Sequence, residues 1–383
     1  MKLILPMSLI ATTLAIAPVR FDREKVFRVK PQDEKQADII KDLAKTNELD
    51  FWYPSATHYV AVNMTVDFRV SEKESQAIQS ALDQNNMHYE ILIHDLQDEI
   101  EKQFDVKEDI PGRHSYAKYN NWEKIVAWTE KMMDKHPEMV SRIKIGSTVE
   151  NNPLYVLKAT KTYGRNKIMT KLLDRMNFYI LPVFNVDGYI WSWTKNRMWR
   201  KNRSKNQNSK CIGTDLNRNF NASWNSISDT KNPCAETYRG SAPESEKETK
   251  AVTDFIRSHL NEIKVYITFH SYSQLLLFPY GYTSKLPRNH DVLAKVAKIG
   301  TDVLSTRYET RYIYGPIKST IYPTSGSSLD WAYDLGIKYT FAFELRDKGK
   351  YGFLLPESQI KPTCRETMLA VKFIAKYILK HTS

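Results

Sequence analysis

The chain has 383 residues, three of them cysteine, with 42% hydrophobic and 26% charged residues and a net charge of +12. That length allows two domains and a large core. Past the N-terminus no stretch is apolar enough to cross a membrane, and no repeat or low-complexity tract appears, which excludes a membrane-spanning or fibrous protein.

The charge is split along the chain. Residues 1–109 carry 13 Lys and Arg against 20 Asp and Glu, and residues 110–383 carry 43 against 24. An acidic N-terminal part on a basic remainder suggests a pro-segment on a mature domain. The sequence opens with "MKLILPMSLIATTLAIA", a basic Lys2, an apolar run and small residues at Ala15 and Ala17. This is the pattern of a secretory signal peptide over 1–17, and it makes the mature chain soluble and secreted or stored in a granule.

Residues 18–109 then alternate. "KVFRVKP" predicts a strand, "DEKQADIIKDLAKTN" a helix, "HYVAVNMTVDFRV" a strand, and "SEKESQAIQSALDQNN" a helix opened by a Ser71–Glu74 capping box. "MHYEILIHDL" closes the unit as a strand, and the whole fits a ferredoxin-like α+β pro-segment. "QDEIEKQFDVKEDIPGR" is a helical connector and cleavage region. From residue 110 to 383, helices and strands alternate again. "NWEKIVAWTEKMMDKHP" is a helix, "RIKIGSTVENNPLYVLK" a hairpin and "MNFYILPVFNVDGY" a strand. "APESEKETKAVTDFIRSHLNEI", "LAKVAKIGTDVLSTR" and a segment from Pro362 are helices, with "KVYITFH" and "YTFAFEL" as strands. The alternation predicts an α/β fold, a three-layer α/β/α sandwich around a mixed sheet.

Two of these strands end in ionisable residues, His270 after "VYITF" and Glu344 after "YTFAF". Strand carboxyl ends are where α/β sheets gather their chemistry. A histidine there suits a metal and a carboxylate suits a general base. "GTDLNRNFN" supplies Asn217 and Arg218, and "NRMWRKNR" supplies Arg200, a set suited to capturing a carboxylate. "STIYPTSGSSLDWAYDLG" is a Gly/Ser/Pro-rich loop offering Tyr322. In an oxidising compartment Cys211 and Cys234, which flank an Asn-rich loop, form a disulfide, and Cys364 is left as a buried thiol. Asn63, Asn202 and Asn221 each open a glycosylation sequon. The run 193–210, with seven cations and no acid, is either a solvated loop or a surface for a sulfated glycan such as heparin. A sulfated glycan is preferred to nucleic acid for a secreted protein.

Together "PVFNVDGY", "NRMWRKNRS", "GTDLNRNF", "YRGSAPESEKET", "FHSYSQ", "GSSLDWAY" and "FELRDKG" resemble the secreted zinc metallocarboxypeptidases of the pancreatic A/B type, over essentially the whole chain. The resemblance implies an enzyme that releases C-terminal residues from peptides, using one zinc ion and water. It makes His270 a zinc ligand, Glu344 the general base and Arg200 the group that polarises the scissile carbonyl. Asn217, Arg218 and Tyr322 would hold the substrate's terminal carboxylate, with Tyr272 lining the cleft. Leu329 falls at the specificity position, where an apolar residue implies aromatic or aliphatic C-terminal residues.

One departure is large. The family takes its other two zinc ligands from a His-x-x-Glu segment at the end of a strand upstream of "FNVDGY". Here Lys158 runs directly into "ATKTYGRNKIMTKLLDRM", so on the order of thirty residues, an interior strand included, are absent. His259 and Glu262 have the right spacing but lie at the wrong end of the strand that carries His270, roughly 20 Å away. The expectation is therefore a zymogen with an impaired or inactive site. The alternative is a catalytically dead variant that acts only as a heparin or proteoglycan binder, or is cleared as misfolded.

Overall fold

The computed structural model describes residues 17–103, 114–160, 167–226 and 231–381. Most of the expected leader and the connector 104–113 lie outside these residues.

The N-terminal unit runs β1 (Lys25–Val29), α1 (Glu34–Thr46), β2 (Asp50–Tyr53), β3 (Val66–Val70), α2 (Glu72–Gln84), β4 (Tyr89–Ile93) and α3 (Leu96–Gln103). Its sheet has the order β2-β3-β1-β4 with antiparallel pairs, the ferredoxin-like arrangement expected. Alternate residues Phe27, Val29, Val66, Phe68 and Val70 pack on Ile40, Ile78 and Leu82 of the two helices, as period-two strands on amphipathic helices should. The expected strand from His58 is shorter than the sequence suggests, because Thr57–Tyr59 forms a 3-10 turn. Ser71 precedes α2, but its hydroxyl donates to Glu74 (2.8 Å) instead of capping a backbone N–H.

The body follows with α4 (Trp122–Lys135), β5 (Val140–Ser147), β6 (Pro153–Ala159), α5 (Lys167–Leu173), β7 (Phe178–Ile180) and α6 (Val186–Thr194). Then come α7 (Lys247–Ser258), β8 (Val265–Ser271), β9 (Leu275–Phe278), α8 (His290–Tyr308), β10 (Ile313–Pro316), α9 (Ile317–Thr320), α10 (Ser328–Asp334), β11 (Tyr339–Leu345) and α11 (Ile360–His381). The segment "MNFYILPVFNVDGY" is not one strand. Only three residues pair, and Asn185 caps α6 by accepting the Gly188 N–H (3.1 Å).

Helices α8 and α11 cover one face of the sheet and α10 the other. β9 shows the two-sided burial: Leu276 and Phe278 join the α8/α11 core, while Leu275 and Leu277 join Ile317, Ile321 and Leu329. The sheet of the body is broken in two, β10-β9-β11-β8 and β5-β6-β7, with mixed pairing in the first. β8 and β7 are thus open edges, with Phe269 and Ile180 exposed to 50% and 48%. The other edges carry protection. β5 has Arg142, Lys144 and a bulge, β10 ends in Pro316, and β2 and β4 carry Asp50 and Glu90. β8, "VYITFHS", has no charge, proline or bulge, and neither has the short β7. Both lack the devices that protect a solvent-exposed edge.

Cys211 and Cys234 are bridged, with 5.1 Å between their Cα atoms, as expected. Cys364 is free but exposed, a correction. It lies on the outer face of α11, whose buried residues are Thr363, Glu366, Thr367, Ala370 and Ile374. Asn202 is also corrected as a glycan site. It is fully buried, donating to Glu246 (2.8 Å) and Glu248 (3.3 Å), whereas Asn63 and Asn221 are exposed. Among the described residues no helix is long and apolar enough to cross a membrane.

Candidate active site

Strand parity brings the central pair together. Phe341 and Phe343 face the α8/α11 core, so Glu344 faces the other way; Ile267 packs on that same core, so His270 also faces away from it. The parallel register places Glu344 opposite His270. Both line a cavity with Arg200, Asn217, Arg218, Tyr272 and Tyr322. Seven positions scattered over the sequence therefore meet at one site.

The arginines are fixed by groups the sequence reading passed over. Asn185, in "FNVDGY", donates to the carbonyls of Arg200 and Lys201 (3.0 Å each) and so sets the backbone at Arg200. The Arg200 guanidinium, lying along the cavity, turns to Asp215, with Nε and Nη2 donating to its Oδ2 at 3.0 and 2.8 Å. Asp215 Oδ1 accepts the Asn217 N–H (3.0 Å), and Arg218 Nη1 lies 4.0 Å from Oδ2. Burial alone would raise the Asp215 carboxyl, but Arg200 and Arg218 hold it below its ordinary range. The signal was present in "GTDLNRNF", where an Asp precedes the Asn-Arg pair by two residues.

Asn217 Oδ1 accepts the Ser328 N–H (2.9 Å) and ties the site to the start of α10. Leu329, one residue on, is 1% exposed in the apolar cluster with Leu275, Leu277, Ile317 and Ile321. Of that cluster Ile321 reaches the cavity wall, and Leu329 lies behind it. Burial lowers the His270 pKa to about 4, with Arg200 adding to the effect, and burial raises Glu344 to about 8 against the pull of Arg200 and Arg218. Burial thus favours the neutral form of both side chains.

Residues of the N-terminal unit fill the mouth. Trp52, Tyr53 and Ser55 line the same cavity. Arg218 Nη2 donates to Ser55 Oγ (3.4 Å), and Tyr59 stacks on Tyr322 with 5.2 Å between ring centroids. Tyr272 donates its hydroxyl to Asp67 (2.7 Å). These acidic-segment contacts were not legible in the sequence.

The residues present do not fit a zinc ion. Among the described residues no group of three or more His, Cys, Asp or Glu side chains is placed to hold a metal. His270 Nε2 lies 3.2 Å from Thr268 Oγ1 instead. His259 ends α7 and bonds the Phe255 carbonyl (2.9 Å), and Glu262 accepts from Tyr179 (3.2 Å), so neither is turned to His270.

The basic run 193–210 is largely committed inward. Arg197 bonds Gln103 (2.9 Å) and the Phe353 carbonyl (3.0 Å), Arg200 is on Asp215, and Lys201 bonds the Pro233 carbonyl (2.8 Å). Arg203 lies over the rings of Trp191 and Trp199, 3.6 and 4.4 Å from their centroids.

Residues 27–103 match the family described as carboxypeptidase activation peptide, and residues 125–162 and 159–370 match the one described as zinc carboxypeptidase, in two pieces meeting at 159–162. Mast cell carboxypeptidase A of Homo sapiens is 85% identical, with 100% of both chains covered. The comparison runs over 417 positions, 34 more than the 383 residues here, so 34 positions of that relative have no counterpart in this chain. Carboxypeptidase B of Bos taurus is 50% identical over 97% of this chain and 98% of its own. The crystal structure of thrombin activatable fibrinolysis inhibitor is similar with a TM-score of 0.89 at 38% identity, covering 94% of this chain and 100% of that one.

Proposed function

The chain belongs to the zinc carboxypeptidase family and carries that family's activation peptide, and from this premise we propose that it is a secreted zymogen whose metal centre has been lost. By family it is a peptide hydrolase. Residues 1–17 are read as the signal peptide, 18–109 as the activation segment and 110–383 as the carboxypeptidase domain. The 34 positions without a counterpart are assigned to the junction after Lys158, where the family match divides, and to the segment that holds the His-x-x-Glu ligands. The open, unprotected edges of β7 and β8 support the same assignment.

The reading rests on His270, which belongs to no group of three or more His, Cys, Asp or Glu side chains able to hold a metal among the described residues. When bound, zinc supplies the family's activated water, and one ligand does not retain it. What this chain's residues do by themselves is recognise a substrate. Arg218, Asn217 and Tyr322 are assigned to the terminal carboxylate of a peptide, and the apolar wall at Ile321, backed by Leu329, to an aromatic or aliphatic C-terminal side chain. Glu344 is assigned as the base and Arg200 as the oxyanion group, but burial favours the protonated form of Glu344 and Arg200 is held by Asp215. The result is recognition without turnover.

Zinc per mole of purified, monodisperse full chain tests this. Near zero zinc with no peptide hydrolysis after activation is expected; near one zinc, with hydrolysis, overturns it.

A second reading, binding of heparin-like sulfated glycans, is favoured by a different surface from the run 193–210. α11 carries Lys361, Arg365, Lys372, Lys376 and Lys380 at spacings of four and seven residues. Its one acid, Glu366, is fully buried on Arg346.

A further inference from the structure

The activation segment meets the body around one buried carboxylate. Asp67 on β3 is 0% exposed. Its cross-strand neighbour on β1 is Arg28, which binds it with two parallel bonds, Nε to Oδ1 and Nη2 to Oδ2, both 2.6 Å. Such a fork geometry fixes both groups. Each partner then reaches out of the segment. Arg28 Nη2 donates to the Lys348 carbonyl at 2.9 Å, and Asp67 Oδ2 accepts the Tyr272 hydroxyl at 2.7 Å.

The body is shaped to receive the pair. Gly349 follows Lys348 with φ +103°, and a Cβ there would come within 1.9 Å of Arg28 Nη2, so only glycine allows the approach. Asp347 accepts three backbone N–H groups, from Gly349, Tyr351 and Gly352, and holds that loop in place. The phenol of Tyr272 is buried, and its pKa is raised well above the ordinary value by burial and then by Asp67, so it remains a donor. Around the pair lies an apolar cluster shared by both units, in which Trp52 and Tyr272 pack on Phe353 at 5.2 and 5.1 Å.

We propose that the Arg28–Asp67 pair is the clamp that keeps the activation segment on the body after the connector is cut, and that it works by occupying Tyr272, a residue of the substrate cleft. The segment and a peptide therefore compete for the same hydroxyl. A buried carboxylate that loses one of its donors is costly, because desolvation has already been incurred and no water replaces the bond. The other polar contacts across the boundary engage no buried carboxylate of the segment; Arg218 Nη2 donates to Ser55 Oγ (3.4 Å). Gln103 donates to the Leu355 carbonyl (3.2 Å) and accepts from Arg197 (2.9 Å), and Val19 N–H donates to the Lys195 carbonyl (2.7 Å). The inference rests on the activation-peptide assignment and is independent of whether zinc binds.

The test uses the full chain, cut with trypsin at the basic residues of the 104–113 connector, and measures by size exclusion and surface plasmon resonance how tightly the segment is retained. Tyr272→Phe removes only the bond across the boundary and leaves the Arg28–Asp67 pair intact. It is expected to speed release about tenfold or more. Gln103→Ala should have a smaller effect, and Asp67→Asn a larger one. Circular dichroism on each uncut variant separates loss of the clamp from loss of the segment's fold. Release from Tyr272→Phe within twofold of the parent, or no faster than from Gln103→Ala, overturns the proposal. So does free separation of the cut parent chain.

Discussion

Glu344 and His270 lie directly opposite each other on parallel strands β11 and β8, on the sheet face turned away from the α8/α11 core. The acid and the histidine of the site are thus placed by the hydrogen-bond ladder itself. On its other side β8 has no paired strand among the described residues, and His270 belongs to no group of three or more metal-ligating side chains among them. On the proposed reading, one missing segment accounts for both the open edge and the incomplete centre.

The open edge has a consequence for solution behaviour. A seven-residue strand with five residues of high β propensity and no charge or proline is a template for pairing with other chains. The full chain is expected to gain mass with concentration in static light scattering. Phe269→Lys, which puts a charge at the half-exposed end of the strand, should suppress that growth several-fold. A parent chain that stays monomeric across the concentration series would sink the idea.

Asp330 gives a pH dependence away from the cleft. It is fully buried, and burial lifts its pKa to about 7, with the Gly281 N–H opposing the shift and Asp334 adding to it. The folded state therefore binds the proton more tightly than the unfolded chain. Its stabilising effect is complete at low pH and is lost as pH rises from about 4 through 7, by on the order of 4 kcal/mol. Urea unfolding at pH 5 and pH 8 should show the parent losing stability at the higher pH and Asp330→Asn losing much less. An equal pH dependence in the two proteins would refute the assignment.

The Cys211–Cys234 bridge closes a loop with a sequence separation of 23. Chain-entropy arguments give it about 3 kcal/mol. Cys211→Ser combined with Cys234→Ser should lower the free energy of unfolding by that order in denaturant titration. A loss below about 1 kcal/mol would mean that the loop's own contacts, such as Lys201 on the Pro233 carbonyl, already hold it.

For the polyanion reading, the two basic surfaces make opposite forecasts. Replacing Lys372, Lys376 and Lys380 with Gln should lower the salt needed for elution from a heparin column, because each solvent-accessible cation adds to a screened, long-range attraction. Replacing Lys205 and Lys210 should matter less. The reverse order would return the site to the 193–210 run.

The sequence by itself determined the family, the acidic segment ahead of a basic body, the alternation that makes an α/β sandwich, and the disulfide. It also determined that His270 and Glu344 end their strands, since period-two patterning and strand ends are local properties. The expectation of a missing segment after Lys158 also came from the sequence, as a motif with no residues to carry it. Tertiary structure decided the rest, because each item depends on partners distant in sequence. Arg200 is committed to Asp215 rather than left for a carbonyl, and the cations of 193–210 mostly face inward. Asn202 is sealed by Glu246 and Glu248, while Cys364 turns outward because α11 buries its neighbours. Asp67 and Tyr272, 205 residues apart, meet only when the segment docks. Charge and composition report how many such groups a chain has; burial and contact decide which of them remain available.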